Sequence, residues 1–378
     1  MYLRIANTPR PYAWGSRTAI AELLGREPSG EPEAELWLGA HPGSPAQIVE
    51  GAPEPDLANW AGSHRADGRL PFLLKVLAAS SPLSLQAHPT MQQAREGFAR
   101  ENAASIPLDA PQRNYKDAFH KPELMYALSD PFRALSGFRP VEEARADLVG
   151  LADDRLDPLV DRLADDDALP AAFEWLIERG EGVDAVVAAL SEHAASVEGD
   201  ERGLWLGTVR MLAAHYPSDP GIAISALMHT VLLRPGQALY LPAGNIHAYL
   251  EGLGIELMAS SDNVLRGGLT PKHVDVRELM RVVVARPMPA PYLEPERPAE
   301  GIAVFRPDVP DFMLTVVEGA ALAEGTTVSS DGAAIVLCTD GEVVVGSEHR
   351  LGRGEAVFTD ETEIPLRGRG RAFVATGR

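Results

Sequence analysis

Hydrophobic and polar positions follow two different rules along this chain, and the points where the rule changes divide it. Between about residues 141 and 216 the chain is rich in Ala, Leu, Asp and Glu, and apolar residues recur at helical spacing, as in Leu148, Leu151 and Leu156, Leu159, or Ala171, Phe173, Leu176. That spacing gathers apolar side chains on one face of a helix. Pro140 and Pro217-Ser218-Asp219-Pro220 bracket the stretch, so it is predicted to be a helical domain. On either side the pattern changes to short apolar runs separated by Gly and Pro turns, such as Phe72-Leu73-Leu74-Lys75-Val76-Leu77 and Ala238-Leu239-Tyr240-Leu241. This is the pattern of an antiparallel β sandwich or barrel. From about Pro287 it repeats, in Phe312-Met313-Leu314-Thr315-Val316-Val317, Ala334-Ile335-Val336-Leu337, Val343-Val344-Val345 and Ala356-Val357-Phe358. The expected class is therefore mainly β with a helical insert. Residues 1–140 and 217–286 form one β domain, 141–216 the insert, and 287–378 a second β domain.

Composition narrows what such a protein can do. A chain of 378 residues is long enough for two or three domains, and 45% hydrophobic with 23% charged residues fits a soluble globular protein. No apolar run approaches the ~20 residues that cross a bilayer. The N-terminus lacks a basic stretch followed by an apolar one and is soon broken by Pro9 and Pro11, so no signal peptide is expected. The single cysteine, Cys338, rules out an intrachain disulfide, and on the apolar run before it a core position is expected. Together these point to the cytoplasm. A net charge of −20 argues against a nucleic-acid partner. An anionic substrate would need a site that is locally basic.

Chemistry concentrates in three segments. The first runs Gly236, five residues, Pro242, one residue, Gly244, two residues, His247. Gly236 permits a tight turn, the following run is a strand, and Pro242 with Gly244 bends the chain so that His247 can point into a barrel mouth. The spacing matches the second metal-binding motif of the cupin jelly-roll; the competing reading is a core histidine after a turn. The second segment is Ser84-Leu85-Gln86-Ala87-His88-Pro89, in which Gln86 and His88 share a strand face. The third is His120-Lys121-Pro122-Glu123, where Glu123 supplies a carboxylate. Gln86, His88, Glu123 and His247 make a nitrogen and oxygen donor set without sulfur, which suits one zinc or a similar divalent ion. A glutamine ligand speaks against an iron oxygenase, whose triad is two histidines and a carboxylate. The acidic runs Asp153-Asp154 and Asp165-Asp166-Asp167 are expected to be solvated caps and loops. His41 reads as structural, His120 as a candidate to orient Glu123, and His64, His193 and His215 as surface residues.

Over most of its length the chain resembles the class I mannose-6-phosphate isomerases. The resemblance is carried by Tyr12-Ala13-Trp14-Gly15-Ser16, Glu35-Leu36-Trp37-Leu38-Gly39-Ala40-His41-Pro42, Gln86-x-His88 and Tyr115-Lys116-Asp117-Ala118-Phe119-His120-Lys121-Pro122-Glu123. It continues through His247-Ala248-Tyr249 and through Ser261-Asp262-Asn263-Val264-Leu265-Arg266-Gly267-Gly268-Leu269-Thr270-Pro271-Lys272. It implies zinc on Gln86, His88, Glu123 and His247, a catalytic role for Arg266, and a cupin core interrupted by a helical domain. Phe119 departs from the family, which usually has Asn there, and could alter the surroundings of the ligand. Beyond Pro287 the resemblance weakens.

Aldose–ketose isomerisation moves a proton between C1 and C2 through an enediol. It needs an electrophile, a base and a phosphate anchor. Arg266 could stabilise developing negative charge or hold the phosphate. Glu256, set between apolar neighbours, Lys121, beside the Glu123 ligand, and Tyr249, two residues beyond His247, are the candidates for acid–base work. Ser84, Lys75 and Lys272 are the candidate phosphate contacts, and Trp14 a candidate wall. In the last domain Gly354-Glu355-Ala356-Val357-Phe358-Thr359-Asp360 begins like the cupin motif, but Asp360 replaces the proline and Pro365 falls where the histidine would be. A degenerate jelly-roll without metal is expected there. The rival functions are an isomerase of another hexose 6-phosphate and a non-catalytic sugar-binding cupin. The expected partner is a small sugar phosphate and the expected state a monomer.

Overall fold

The apolar runs become strands of two large sheets, and residues between 141 and 216 become helices, in a computed structural model that describes residues 1–196 and 204–377. Helices Val141–Val149, Leu169–Ile177, Val183–Ala195 and Leu204–His215 form the insert, whose residues 197–203 lie outside the described part. Its acidic runs are caps, as the sequence suggests. Asp153 accepts from the Arg155 amide, and Asp165 accepts from those of Asp167 and Ala168.

The insert is not a separate body. Its buried Leu148, Leu159, Phe173, Leu190 and Leu212 belong to one continuous apolar core with Leu85, Leu135, Ile246, Leu265 and Leu269 of the β unit. The helices bury their apolar stripes against one another and, through the shared core, against residues of the β unit. Fully burying one such side chain contributes about 1.5–3 kcal/mol, so the insert and the site strands stabilise each other.

The first sheet is organised by one long strand, His247–Ala259. Its first half pairs with Gln86–Ala87 on one side and Phe132–Phe138 on the other; its second half pairs with Phe72–Ala79 and Glu123–Ala127. The switch falls at a register shift between Tyr249 and Glu251, next to Gly252 at φ +125°, where a Cβ would lie 2.9 Å from the Phe132 backbone. The long strand thus turns a corner, and the side chains before and after the bend face a common interior.

The second sheet holds the C-terminal strands together with Tyr2–Ala6 and Gln47–Glu50. The division expected at residue 287 is therefore crossed by the N-terminus. Tyr2–Ala6 pairs along Ala356–Thr359, which would otherwise present an open edge. The terminal ammonium of Met1 pairs with Asp360 and, at 2.7 Å, with Glu361. Among the described residues no helix is long and apolar enough to cross a membrane.

Candidate metal centre and adjoining cleft

Turn chemistry places the histidines. Gly236 takes φ +94°, the strand Ala238–Leu241 follows, and Gly244 at φ +82° donates its amide to the His88 carbonyl at 2.9 Å. A side chain at Gly244 would meet Val284 at 2.6 Å, so only glycine lets the turn pack so closely. The long strand then opens at His247, directly opposite Gln86, and Gln86 lies opposite Arg266 on the far side. Opposed residues of an antiparallel ladder point to one face, so Arg266, Gln86 and His247 form a row. Glu123 opens the strand that pairs with the second half of the long strand, and it faces the same interior.

Here His88, Glu123 and His247 converge, each about 1% exposed, with their ligand atoms within 4.8 Å of one another. His88 Nε2 lies 3.1 Å from Glu123 Oε1, and His247 Nε2 lies 3.3 Å from Oε2. The other ring nitrogens explain what these distances mean. His88 Nδ1 donates to the Asn263 carbonyl at 2.8 Å and His247 Nδ1 to that of Asn245 at 3.1 Å. A carbonyl only accepts, so the neutral rings carry their proton on Nδ1 and turn the Nε2 lone pair toward a carboxylate. Neither Nε2 makes a hydrogen bond. Three buried acceptors facing one another repel unless a cation sits among them. Donors 2.0–2.1 Å from a tetrahedral ion are separated by about 3.3 Å; the two histidine–carboxylate contacts are of that order and all three groups lie within 4.8 Å, so the residues fit one divalent ion. Burial, helped by the nearby Lys121 ammonium, holds His88 down to about 4 and thus neutral, as a ligand must be. Burial alone would raise Glu123, but Lys121 and the two imidazoles hold it well below the usual carboxylate range.

A second layer supports the first. Lys121 Nζ lies 2.7 Å from Glu123 Oε1, and the Tyr249 hydroxyl donates to Oε2 at 3.1 Å. Burial and the Glu123 charge push the Tyr249 phenol well above its ordinary value, so it stays a donor. Deeper in, Lys75 lies 2.8 Å from Glu256 and 3.5 Å from Glu35, which also accepts from Trp37 Nε1 at 2.9 Å. Burial would lower the Lys75 ammonium, but the two carboxylates hold it above its ordinary value, and burial raises Glu256. One ammonium thus serves two buried carboxylates.

This corrects one expectation. Lys75 is 5% exposed and its charge is spent on Glu35 and Glu256, so it is not a phosphate contact. It sits mid-strand with both neighbouring strands covering it. His120 also differs: it pairs with Asp311 at 2.7 Å and does not orient Glu123. His41 pairs with Asp262 at 3.2 Å and packs edge-on to Trp37.

Asn263 was not singled out from the sequence, yet it is fully buried and ties three parts of the site. Its carbonyl holds His88, its Oδ1 accepts from the Lys116 amide at 2.7 Å, and its Nδ2 donates to the Phe119 carbonyl at 2.7 Å. Phe119 therefore acts through its backbone. Its ring turns outward under the Arg69 guanidinium, 3.5 Å from the centroid, so the unusual side chain leaves the ligand's surroundings intact.

A cleft of about 530 Å³ opens beside the metal group, lined by Trp14, Ser84, Gln86, Arg266, Lys272 and His215. His215 is exposed, but it belongs to this wall rather than to a featureless surface. Arg266 is half-buried, is held below its usual value by burial, and has no carboxylate partner among the described residues. Lys272 has none either. Its acidic neighbours are committed: Asp275 to the Asn114 side chain at 2.8 Å, Glu278 to Arg100 and Tyr115 at 2.7 Å each. A chain of net charge −20 thus offers two unspent cations at one cleft.

The description "Phosphomannose isomerase type I, catalytic domain" matches residues 2–141. The chain is 38% identical to mannose-6-phosphate isomerase of Escherichia coli, with 97% of each chain covered. It is 32% identical to that of Homo sapiens, over 96% of this chain and 90% of the human one. Among solved structures, the zinc-bound holo form of a mannose 6-phosphate isomerase superimposes with a TM-score of 0.89 at 36% identity, covering 100% of this chain and 99% of the other. With likeness at that level running through both β units and the insert, the chain belongs to the type I phosphomannose isomerase family.

Proposed function

We propose that this protein interconverts mannose 6-phosphate and fructose 6-phosphate, using one zinc ion held by Gln86, His88, Glu123 and His247. The observation that carries the proposal is the pairing of a buried His–Glu–His acceptor group with a cleft whose two cations have no carboxylate partner among the described residues. When bound, zinc supplies a Lewis acid for the sugar's carbonyl and hydroxyl oxygens. The protein does the rest. Arg266, in register with Gln86, faces the reacting end of the cleft and stabilises negative charge on the enediolate oxygen. Lys272 and Ser84 hold the phosphate, and Trp14 walls the cleft. Lys121 and Tyr249 fix the Glu123 carboxylate. Glu256 is, with Glu35, an interior carboxylate that is not a ligand, and we assign Glu256 the proton moved between C1 and C2, with Lys75 balancing its charge.

We also infer that both β units are cupin-type jelly-rolls, the second degenerate, and that the enzyme works as a cytoplasmic monomer. The glycine turn before each motif strand and the long strand that bends between two sets of partners support the jelly-roll reading.

A coupled assay on purified protein tests the proposal. Turnover of mannose 6-phosphate with none of glucose 6-phosphate is expected; the reverse would move the protein to another hexose 6-phosphate. A charge-assisted hydrogen bond contributes about 1.5–3 kcal/mol, so Lys272→Ala should lower kcat/KM for mannose 6-phosphate roughly 10- to 150-fold. The same variant should retain its metal and its poor reaction with free mannose; an equal loss on both substrates would reject the anchor role.

A further inference from the structure

The helical insert ends in two side chains that reach the walls of the cleft. The Tyr216 hydroxyl donates to the Pro82 carbonyl at 2.7 Å, two residues before Ser84. Asp219 Oδ1 accepts from the amides of Gly221 at 2.7 Å and Leu269 at 2.8 Å, and Oδ2 lies 3.4 Å from the Thr270 amide. Thr270 precedes Lys272 by two residues. Both contacts thus run from the insert's exit to segments that present the cleft's polar side chains.

The backbone that Asp219 holds is strained. Leu269 is fully buried at φ +52°, a left-handed conformation that a residue with a branched side chain adopts only when its surroundings enforce it. Asp219 supplies the enforcement, and two glycines make room for it. A Cβ at Gly268 (φ +121°) would lie 3.2 Å from Asp219 Oδ1, and one at Gly221 would lie 2.7 Å from Leu269 Cγ. The Gly268 carbonyl in turn accepts from Leu85, between Ser84 and Gln86. The exit turn, the Leu269–Thr270 segment and the Ser84 loop therefore lock together, while Arg266 is held separately by its pairing with Gln86.

We propose that Asp219 and Tyr216 are positioning residues that fix Lys272 and Ser84 relative to each other, so that the helical insert sets the enzyme's affinity for the phosphate group of its substrate. This rests on the reading of the cleft as the phosphate end. Asp219 does not line the cleft; Tyr216 does, with its hydroxyl committed to the Pro82 carbonyl. A loop that wanders by an ångström weakens a charge-assisted contact without disturbing the chemistry at the metal, so the signature is a rise in KM at constant kcat.

The test uses the metal-loaded enzyme and four variants: Asp219→Ala, Asp219→Asn, Tyr216→Phe and Lys272→Ala. For each, KM and kcat for mannose 6-phosphate, the inhibition constant of inorganic phosphate, bound metal and Tm are measured. In Asp219→Ala, KM and the phosphate inhibition constant should rise together by roughly five- to tenfold, with kcat within about twofold and metal unchanged. Asp219→Asn keeps an acceptor for the Gly221 and Leu269 amides and should recover most of the affinity. Tyr216→Phe should show the same signature at about two- to threefold. An unchanged phosphate inhibition constant in Asp219→Ala, or a fall in kcat and Tm alone, overturns the inference. If Asp219→Ala does not fold, an unchanged constant in Tyr216→Phe does so. Failure of the underlying reading looks different: Lys272→Ala itself would then leave the phosphate constant unchanged.

Discussion

The two β units use the same local syntax and fill their interiors in opposite ways. Gly236 at φ +94° introduces the strand Ala238–Leu241, and Gly354 at φ +84° introduces Ala356–Thr359. After the first strand the chain turns through Gly244 and returns at His247, into an interior that holds His88, Glu123, Lys121, Glu256, Lys75 and Glu35. After the second it passes Asp360 and Pro365, and the interior is Val317, Val336, Val343, Val357, Ile364 and Val374. Even Cys338 behaves as an apolar group there, its thiol pushed up to about 11 by burial. Among the described residues only the first unit gathers three side chains able to hold an ion. The second interior is apolar, and its unpartnered buried polar atoms are single hydroxyls, those of Thr339 and Thr376, rather than a converging group. The first carries buried polar atoms without partners, each costing about 1–3 kcal/mol, and is completed only by what it binds.

If this contrast is right, disturbing the first interior should cost function and ligand binding, while disturbing the second should cost stability alone. The largest effect is expected from His247→Ala, which should abolish both bound metal, read by elemental analysis, and turnover. Next, Lys75→Met strands Glu35 and Glu256 in the interior and should destabilise the fold by about 3–5 kcal/mol in denaturant titration; a loss below about 1 kcal/mol would mean that the buried pair is dispensable. Asn263→Ala removes the clamp on the segment that orients His88 and should weaken metal affinity about 10- to 100-fold in chelator competition. The smallest effect should come from Ile364→Val in the second unit, at about 0.5–1.5 kcal/mol of stability with metal affinity and kcat unchanged. A change in metal affinity there would break the contrast.

What the sequence made legible follows from how local the physics is. Gln86 and His88 share a face because of the strand period, and His247 follows from the turn at Gly236 and Gly244; both signals lie within a dozen residues. The insert announced itself by helical periodicity and its acidic caps. What was illegible depends on distant pairing. Nothing near Lys75 says that Glu35 will lie opposite in space and consume its charge. Nothing in Tyr2–Ala6 says that its partner is Ala356–Thr359. Asn263 acts partly through its carbonyl, which every residue has, and Asp219 lies in a proline-flanked turn that reads only as a boundary. The fused core of insert and β unit was likewise hidden, since periodicity shows that a helix has an apolar face but not what covers it.

The most direct test of the metal-centred reading is a titration of chelated, metal-free protein with zinc, followed by the rate of mannose 6-phosphate conversion. Turnover should be absent without metal and rise linearly to full activity at one zinc per chain. In the same titration His247→Ala should show neither binding nor recovery. Full turnover in a sample shown by elemental analysis to contain no metal would contradict it.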